Sequence, residues 1–352
     1  MVITFLIGNG FDIRMGLQTS YKSLEKYYVG IKKDDPPLQK FQHTIESCGE
    51  LWADFETALG GYTASFSEDE QLLFQRCMDD FSIELAFYLQ EEENGIDYDL
   101  CAKEIKTEFT RSFEKFDYGI PNRQFNTLKA LLAESKDIEF KFISFNYTHV
   151  LDNCLNIAFP TEYVEKKQKN AIPIAPIVHH KVLHIHGELP GPVIMGVDNE
   201  TQIANLCWAK QRAFRNKLMK PAINQRSGSL ADRAAKLLLY ESNVICIYGM
   251  SLGETDKSWW HTIGSWLMEP DHMLIIYGYT ELRAFELTLQ KKFDIEDALL
   301  DKFFSLADLD ASKRNAFENK IAVVVNPNLF DINLIDLTLQ KKNWRSEWKS
   351  QI

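Results

Sequence analysis

The chain opens with a short apolar run, VITFLI at residues 2–7, which ends abruptly in GNGFD at residues 8–12. A run of this kind predicts a strand buried on both faces, as found inside a parallel sheet. Gly8 and Gly10 allow a tight turn and a close approach of the backbone to a ligand, and Asp12 adds a carboxylate. Two interpretations stay open: a phosphate or dinucleotide site, and a turn that serves only the fold.

Composition limits the class of protein. The chain has 352 residues, of which 45% are hydrophobic and 25% charged, which fits one large globular domain over residues 1–352. No segment approaches the roughly 18 consecutive apolar residues of a membrane span, and the start lacks an export signal. The six cysteines are scattered without a CxxC pair, which argues against a zinc ribbon. We therefore expect a cytoplasmic protein with no membrane partner.

The negative charge is concentrated in one part of the chain. Residues 30–135 contain 22 acidic and 10 basic residues, a net charge of −12, whereas the whole chain carries −11. Binding to nucleic acid requires a basic face, which this sequence does not predict. The acidic region favours solubility over a dedicated cationic partner.

The pattern of apolar runs predicts an α/β fold. Between several of these runs lie amphipathic helical segments, so we expect a doubly wound, mostly parallel, Rossmann-like sheet. Residues 20–135 lose the strand signals and predict a large helical insertion after the first strand, while residues 160–180 predict a loop. The further predicted strands are 140–145, 181–186, 243–248, 272–279 and 320–325, and the predicted helices between them include 201–218, 228–241, 254–268 and 280–291.

Polar side chains concentrate where predicted strands end, the edge at which open α/β sheets bind ligands. Asn146 and Thr148 follow one strand, although an asparagine there also serves as a helix cap. His184 and His186, on one face of another strand, form an H-x-H pair that could ligate a metal, but no third ligand stands out. His186, followed by Gly187, equally suits a general base, which we favour over a packed histidine and over a metal ligand.

The segment GMSLG at residues 249–253 matches the GxSxG nucleophile elbow of α/β hydrolases. Ser251 would be the nucleophile, with Asp256, Asp271 and His272 available downstream. His272, however, stands at the start of a predicted strand, at the opposite end of the sheet. Phosphate contact or helix capping is the simpler use of Ser251.

Four motifs in this order resemble the AbiH family of bacterial proteins, which is associated with abortive infection of phage-attacked cells. They are GNGFD-x3-G-x2-TSY from residue 8, FNYT from residue 145, HIHG from residue 184 and YGMSLGETDK from residue 248. Trp52 and Glu56 fit the family's W-x3-E pattern. The resemblance extends from residue 3 to beyond residue 260 and implies a role in phage defence.

More distantly, the same order resembles the sirtuin-like NAD-binding fold, with its G-A-G-x-S turn, Q-N-x-D loop, histidine before glycine and G-T-S motif. The resemblance implies that Asn146 positions the nicotinamide ribose and a water, that His186 is the base, and that Ser251 helps to bind the adenosine or phosphate part. The cofactor-binding set expected on this basis is Gly8, Asn9, Gly10, Phe11, Asp12, Thr19, Thr148, Gly249, Ser251, Leu252 and Asp256.

Departures from the sirtuin pattern change the expected reaction. After the histidine this chain has only Cys207 and Cys246 in place of a four-cysteine zinc module, and it has Asp12 and Thr148 where sirtuins have serine and aspartate. Simple NAD cleavage with no metal is therefore favoured over deacetylation. Nicotinamide leaves as a neutral group, so positioning and electrostatic stabilisation of an oxocarbenium-like transition state suffice.

The resulting expectation is an anti-phage effector that hydrolyses NAD+ and stays silent until infection. From the family resemblance we expect a phage-derived trigger and a homo-oligomer. The competing hypotheses are a GxSxG serine hydrolase, a sensor that binds NAD or a related nucleotide without turnover, and a metal-dependent hydrolase built on His184 and His186.

Overall fold

The structure, a computed structural model, describes residues 1–46, 52–161, 176–310, 314–317 and 319–350. In these ranges the chain forms a six-stranded, all-parallel sheet in the order β3-β2-β1-β4-β5-β6. Chain direction across the sheet reverses between β1 and β4, which makes the carboxyl ends of these two strands the topological switch point. The predicted doubly wound fold is confirmed. The strands are β1 Val2–Ile7, β2 Ile138–Ser144, β3 Pro176–His184, β4 Val244–Tyr248, β5 Met273–Gly278 and β6 Ile321–Val325.

Helices cover both faces of the sheet. Those before β2 are α1 Gly10–Arg14, α2 Tyr21–Gly30, α3 Pro36–Glu46, α4 Trp52–Tyr62, α5 Gln71–Asn94, α6 Tyr98–Glu114 and α7 Asn122–Ala133. Those after it are α8 Val150–Ala158, α9 Leu206–Lys210, α10 Arg212–Leu218, α11 Lys220–Ser227, α12 Leu230–Glu241, α13 Lys257–Trp266, α14 Leu289–Leu306, α15 Arg314–Phe317 and α16 Leu334–Ser350. Among the described residues, no helix is both long and apolar enough to cross a bilayer.

Alternation along the strands divides the core into two layers. In β1, Phe5 and Ile7 point to one face, where they pack with side chains of α6, α7 and α8. Leu6 points to the other face, against α12, α13 and α14. Apolar residues therefore face both sides of the central strand, which explains why its sequence reads as a continuous apolar run.

The helices between β1 and β2 pack in two different hydrophobic cores. Helices α6 and α7 complete one face of the sheet. Helices α2 to α5 instead build a separate aromatic core together with α9 and α10, in which Tyr28, Phe41, Phe81 and Trp208 are buried. The acidic segment is thus not a single layer, because only its second half packs on the sheet.

Two of the sequence predictions need correction, and a third lies partly outside the described residues. Residues 280–288 form turns and α14 begins at Leu289, where the Thr288 side chain accepts the N-terminal bond from Lys291. Within the predicted loop 160–180, β3 already begins at Pro176, and residues 162–175 lie outside the described residues. Finally, β3 ends at His184 and not at residue 186.

The early end of β3 matters for the site. Its pairing with β2 stops where β2 stops, so the last rung is the bond from Ile185 N to Ser144 O. Gly187 then adopts a φ of +83°, which turns the chain away. The expected common face for His184 and His186 is therefore wrong, because a strand's alternation ends with the strand.

Candidate functional site

Glycines at the switch point bring two loops into backbone contact. Gly8 N donates to Tyr248 O at 2.9 Å and Gly10 N donates to Gly249 O at 2.8 Å. A Cβ placed on Gly10 would lie 2.7 Å from Gly249 Cα, and Gly249 itself has a φ of +68°. Side chains at these positions would force the loops after β1 and β4 apart. The GxG pattern here closes the junction of the two halves of the sheet.

The residues around these glycines have different surroundings. Asn9 donates its amide to Thr19 O at 2.7 Å, which holds the loop before α2. Phe11 is fully buried and packs edge-on against Phe330, with ring centroids 5.5 Å apart. Leu252 is buried as well, with a φ of +51°. Phe11 and Leu252 therefore belong to the core that supports the site.

Asp12 lies at the centre of a buried polar network. Asn146 donates to its Oδ1 at 2.9 Å and Thr148 donates to its Oδ2 at 2.6 Å. Asn146 also donates to Gly8 O at 3.2 Å, so the loops after β1 and β2 are tied together. All three polar side chains are at most 7% exposed.

The pKa of the Asp12 carboxyl lies near neutrality. Burial raises its pKa to about 7, even though the hydrogen bonds from Thr148 and Asn146 favour the ionised form. The negative charge of Glu93 raises it further. A carboxyl whose charge changes near neutral pH at the carboxyl edge of a parallel sheet is a candidate functional group.

His184 extends this network toward α8. Its Nδ1 donates to Asn146 O at 3.0 Å, and its Nε2 lies 3.1 Å from Asp152 Oδ2. Burial lowers the pKa of His184, but the bond and charge of Asp152 outweigh burial and raise it overall. Beside it, His149 Nε2 lies 3.2 Å from Glu188 Oε2.

His186 belongs to a second network on the other side of the loop after β2. Its Nε2 lies 3.2 Å from Asp256 Oδ1, which is also 2.8 Å from Lys220 Nζ. Lys220 reaches Glu56 Oε2 at 2.8 Å, and Thr255 donates to the same oxygen at 2.6 Å. The helical insertion is thereby joined to the β4–α13 connection through buried charges.

Charge pairing decides the protonation states in this network. Burial would raise the pKa of Asp256, but the positive charge of Lys220 and the hydrogen bonds from Lys220 and His186 hold it well below its usual range. Burial would likewise lower the pKa of Lys220, and the carboxylates of Asp256 and Glu56 raise it instead. Both partners therefore stay ionised while shielded from water.

A small cavity of about 10 Å³, room for about one water molecule, lies against this second network. Asn224 is 4% exposed, and its Oδ1 has no hydrogen-bond partner within the described part of the chain. An unpaired buried acceptor on a cavity wall is available to a bound molecule. The cavity is lined by His186, Asp198, Lys220, Pro221, Asn224, Asp232, Lys236, Thr255, Asp256, Ser258 and Trp259.

The two networks meet at the FNYT loop. The ring of Phe145 packs edge-on against His186, with centroids 5.2 Å apart, whereas the next residue, Asn146, points to Asp12. Tyr147 follows and donates its hydroxyl to Ile194 O at 3.3 Å. Asn146 and His186, the predicted catalytic pair, are thus held in neighbouring but separate networks.

The serine hydrolase arrangement is not assembled in the structure. Ser251 is exposed, after the carboxyl end of β4, and its carbonyl accepts a bond from Lys302 at 2.8 Å. His272 precedes β5, at the amino ends of the strands, where its ring stacks on Trp266 with centroids 4.4 Å apart. The nucleophile and the base would therefore lie at opposite ends of the strands.

Sequence reasoning missed most partners in these networks. Glu56 had a signal in the W-x3-E pattern, but the side chain of Trp52 lies outside the described residues. No sequence pattern marked Lys220 or Glu93, because their partners are distant in the sequence. Asp152 and His149 follow FNYT directly, so the position after a buried strand could have marked them.

Comparison with known proteins places the chain in a family. A family model described as bacteriophage abortive infection AbiH matches residues 4–277, more than half of the chain. The match spans β1 to β5 and so includes both polar networks. No curated protein matches the sequence. The chain therefore belongs to the AbiH family of bacteriophage abortive infection proteins.

Proposed function

We propose that this AbiH protein aborts phage infection by hydrolysing the nicotinamide–ribose bond of NAD+. The observation that carries the proposal is the buried His186–Asp256 pair, which lines a water-sized cavity beside the Asn146–Asp12 network. Both lie at the carboxyl edge of a 3-2-1-4-5-6 sheet, the strand order that binds dinucleotides in many unrelated enzymes.

His186 acts as the general base. Asp256 accepts from Nε2, which leaves Nδ1 as the basic nitrogen of the neutral ring. Water adds to C1′ of the ribose as the C1′–N bond breaks, and the water proton passes to Nδ1. Nicotinamide takes the bonding electron pair and leaves as a neutral molecule, so no acid is needed at the leaving group.

Asn146 and Asp12 hold the ribose. Both amide hydrogens of Asn146 are directed to Gly8 O and Asp12 Oδ1, so its Oδ1 is the atom offered to a ribose hydroxyl. The Asp12 carboxylate, which forms as the pH rises above about 7, stabilises the positive charge that develops on the ribose in the transition state. Fixed dipoles in a buried setting need no reorganisation when that charge appears.

Nicotinamide release in phage-infected cell extracts tests the proposal, because infection supplies the trigger. Wild type should release nicotinamide, His186→Ala should lose activity by about 10²-fold or more, and Asn146→Ala should also lose it. His179→Ala is the control, since His179 pairs with Glu139 outside both networks, and should keep activity.

Two results would overturn this assignment. Saturable binding of NAD with no nicotinamide released from infected extracts would identify a sensor. Ester hydrolysis abolished by Ser251→Ala, with NAD untouched, would identify a serine hydrolase.

A further inference from the structure

We propose that His149, His184 and Glu188 form a binding site for one divalent transition-metal ion, with Asp152 beside His184. The four come from different elements: the loop after β2, the end of β3, the first turn of α8 and the turn after β3. Nothing in the hydrolysis proposed above uses this site, so the two proposals stand independently.

Distances between the ligand atoms carry the proposal. The side-chain ligand atoms of His149, His184 and Glu188 all lie within 4.8 Å of one another. Glu188 Oε2 is 3.2 Å from His149 Nε2 and 3.9 Å from His184 Nε2, and Asp152 Oδ2 is 3.1 Å from that same His184 nitrogen. Atoms bound to one zinc ion at roughly 2.0–2.2 Å lie about 3–4 Å apart. The two distances from Glu188 match this spacing.

Hydrogen bonding alone explains only part of the arrangement of these four side chains. It accounts for the pairs His149–Glu188 and His184–Asp152, but the 3.9 Å approach of Glu188 to His184 is too long for a hydrogen bond. That approach brings two pairs together at one point. A shared cation accounts for the convergence of His149, His184 and Glu188.

An outer partner orients the His184 imidazole as at metal sites. His184 Nδ1 donates to the backbone carbonyl of Asn146 at 3.0 Å, which turns Nε2 toward the cluster. A metal-bound histidine usually donates its other N–H to a carbonyl or carboxylate in this way. The backbone N–H of His149 is in turn fixed by Glu93 Oε2 at 3.1 Å. The His184 imidazole and the His149 backbone are therefore held in place before any ion binds.

The donor set indicates which ions fit. Two neutral imidazoles and the Glu188 carboxylate would leave a divalent ion with one net positive charge, which the nearby Asp152 carboxylate offsets. Imidazole nitrogen favours Zn²⁺, Co²⁺, Ni²⁺ and similar ions over Mg²⁺ and Ca²⁺, which prefer oxygen ligands alone. The ligand set differs from the His184–His186 pair considered from the sequence, because His186 is held by Asp256 and Lys220. It also opposes the sequence-based expectation of no metal.

Metal content of the full chain, prepared without a histidine tag, tests the site. After chelator treatment and dialysis against Zn²⁺, wild type should retain one ion per chain, and Co²⁺ should give the visible absorption of a nitrogen and oxygen site. The double variant H149A/E188Q should weaken Zn²⁺ binding by at least about tenfold. Zn²⁺ should raise the melting temperature of wild type but not that of the variant.

A matched control separates the site from surface histidines. His179 in β3 pairs with Glu139 of the neighbouring strand β2 at 2.9 Å, and its side chain is 31% exposed, against 33% for His149. H179A should bind Zn²⁺ as wild type does. Because His149 and Glu188 are both partly exposed, replacing them empties no part of the core.

Zinc bound equally by wild type and H149A/E188Q, or no zinc retained by wild type, would overturn the proposal. NAD cleavage is not a readout of this experiment. A failure of the metal site and a failure of the proposed hydrolysis are therefore seen separately.

Discussion

Asn146 donates its side-chain amide to Asp12 Oδ1 at 2.9 Å, although the two residues are 134 positions apart in the sequence. The bond joins the loop after β1 to the loop after β2 across the edge where parallel α/β sheets bind ligands. It also places an asparagine against a carboxyl whose pKa lies near neutrality. The effect of this contact on stability is measurable through its dependence on pH.

The raised pKa of Asp12 predicts a stability that falls as the pH rises. In the folded state burial raises the pKa to about 7, whereas the ordinary value is 3.8. Between these two values the folded chain holds a proton that the unfolded chain has lost, so raising the pH favours unfolding. Asp12→Asn keeps the shape but does not titrate. The gain in unfolding free energy from Asp12→Asn should therefore grow from about pH 4 to about pH 8, on the order of 4 kcal/mol in total.

Denaturant unfolding of both proteins across this range measures the effect. Other titrating groups are common to the two chains, so the difference isolates residue 12. Parallel pH profiles for wild type and Asp12→Asn would show that the Asp12 carboxyl is not perturbed by burial.

Gly10 should tolerate no side chain. Its Cβ would meet the Gly249 backbone at 2.7 Å, and backbone atoms cannot move aside cheaply. Gly10→Ala should therefore lower the free energy of unfolding by about 1–3 kcal/mol. Gly61, in α4, has open space around its Cβ position, so Gly61→Ala should be neutral or stabilising by up to about 1 kcal/mol. Equal stabilities for the two variants, measured by urea denaturation, would contradict the close contact between the loops.

Lys220 should be essential for attaching the helical insertion. Its removal leaves the Glu56 and Asp256 carboxylates buried without their shared cation. Lys220→Met should cost about 3–5 kcal/mol of unfolding free energy. Adding Glu56→Gln removes one of the stranded charges and should recover part of this loss. A Lys220→Met protein as stable as wild type would show that this charge network contributes nothing to stability.

Prediction of the fold from the sequence worked where the information is local. The buried strands are continuous apolar runs because both faces of the sheet are covered, and β1, β4, β5 and β6 lie within one or two residues of their predicted positions. The residue at which β3 ends could not be predicted from the sequence, because it depends on where the neighbouring strand β2 ends. That one strand end decides that His184 and His186 enter different networks.

The site was predictable only in part for the same reason. Residues at strand ends, such as Asn146, carry a positional signal. Lys220 carries none, because its partner Glu56 is 164 positions away and no local pattern connects them. The GxG pattern is common to phosphate loops and to backbone packing, so the sequence alone does not separate these uses.

The central claim is that infection turns on NAD+ cleavage through His186. The most direct measurement is cellular NAD during phage challenge, in cells that express wild type or His186→Ala at equal levels. NAD should fall after infection in wild-type cells and stay unchanged in His186→Ala cells, which should also lose protection against the phage. Unchanged NAD in wild-type cells that still abort infection would contradict the account.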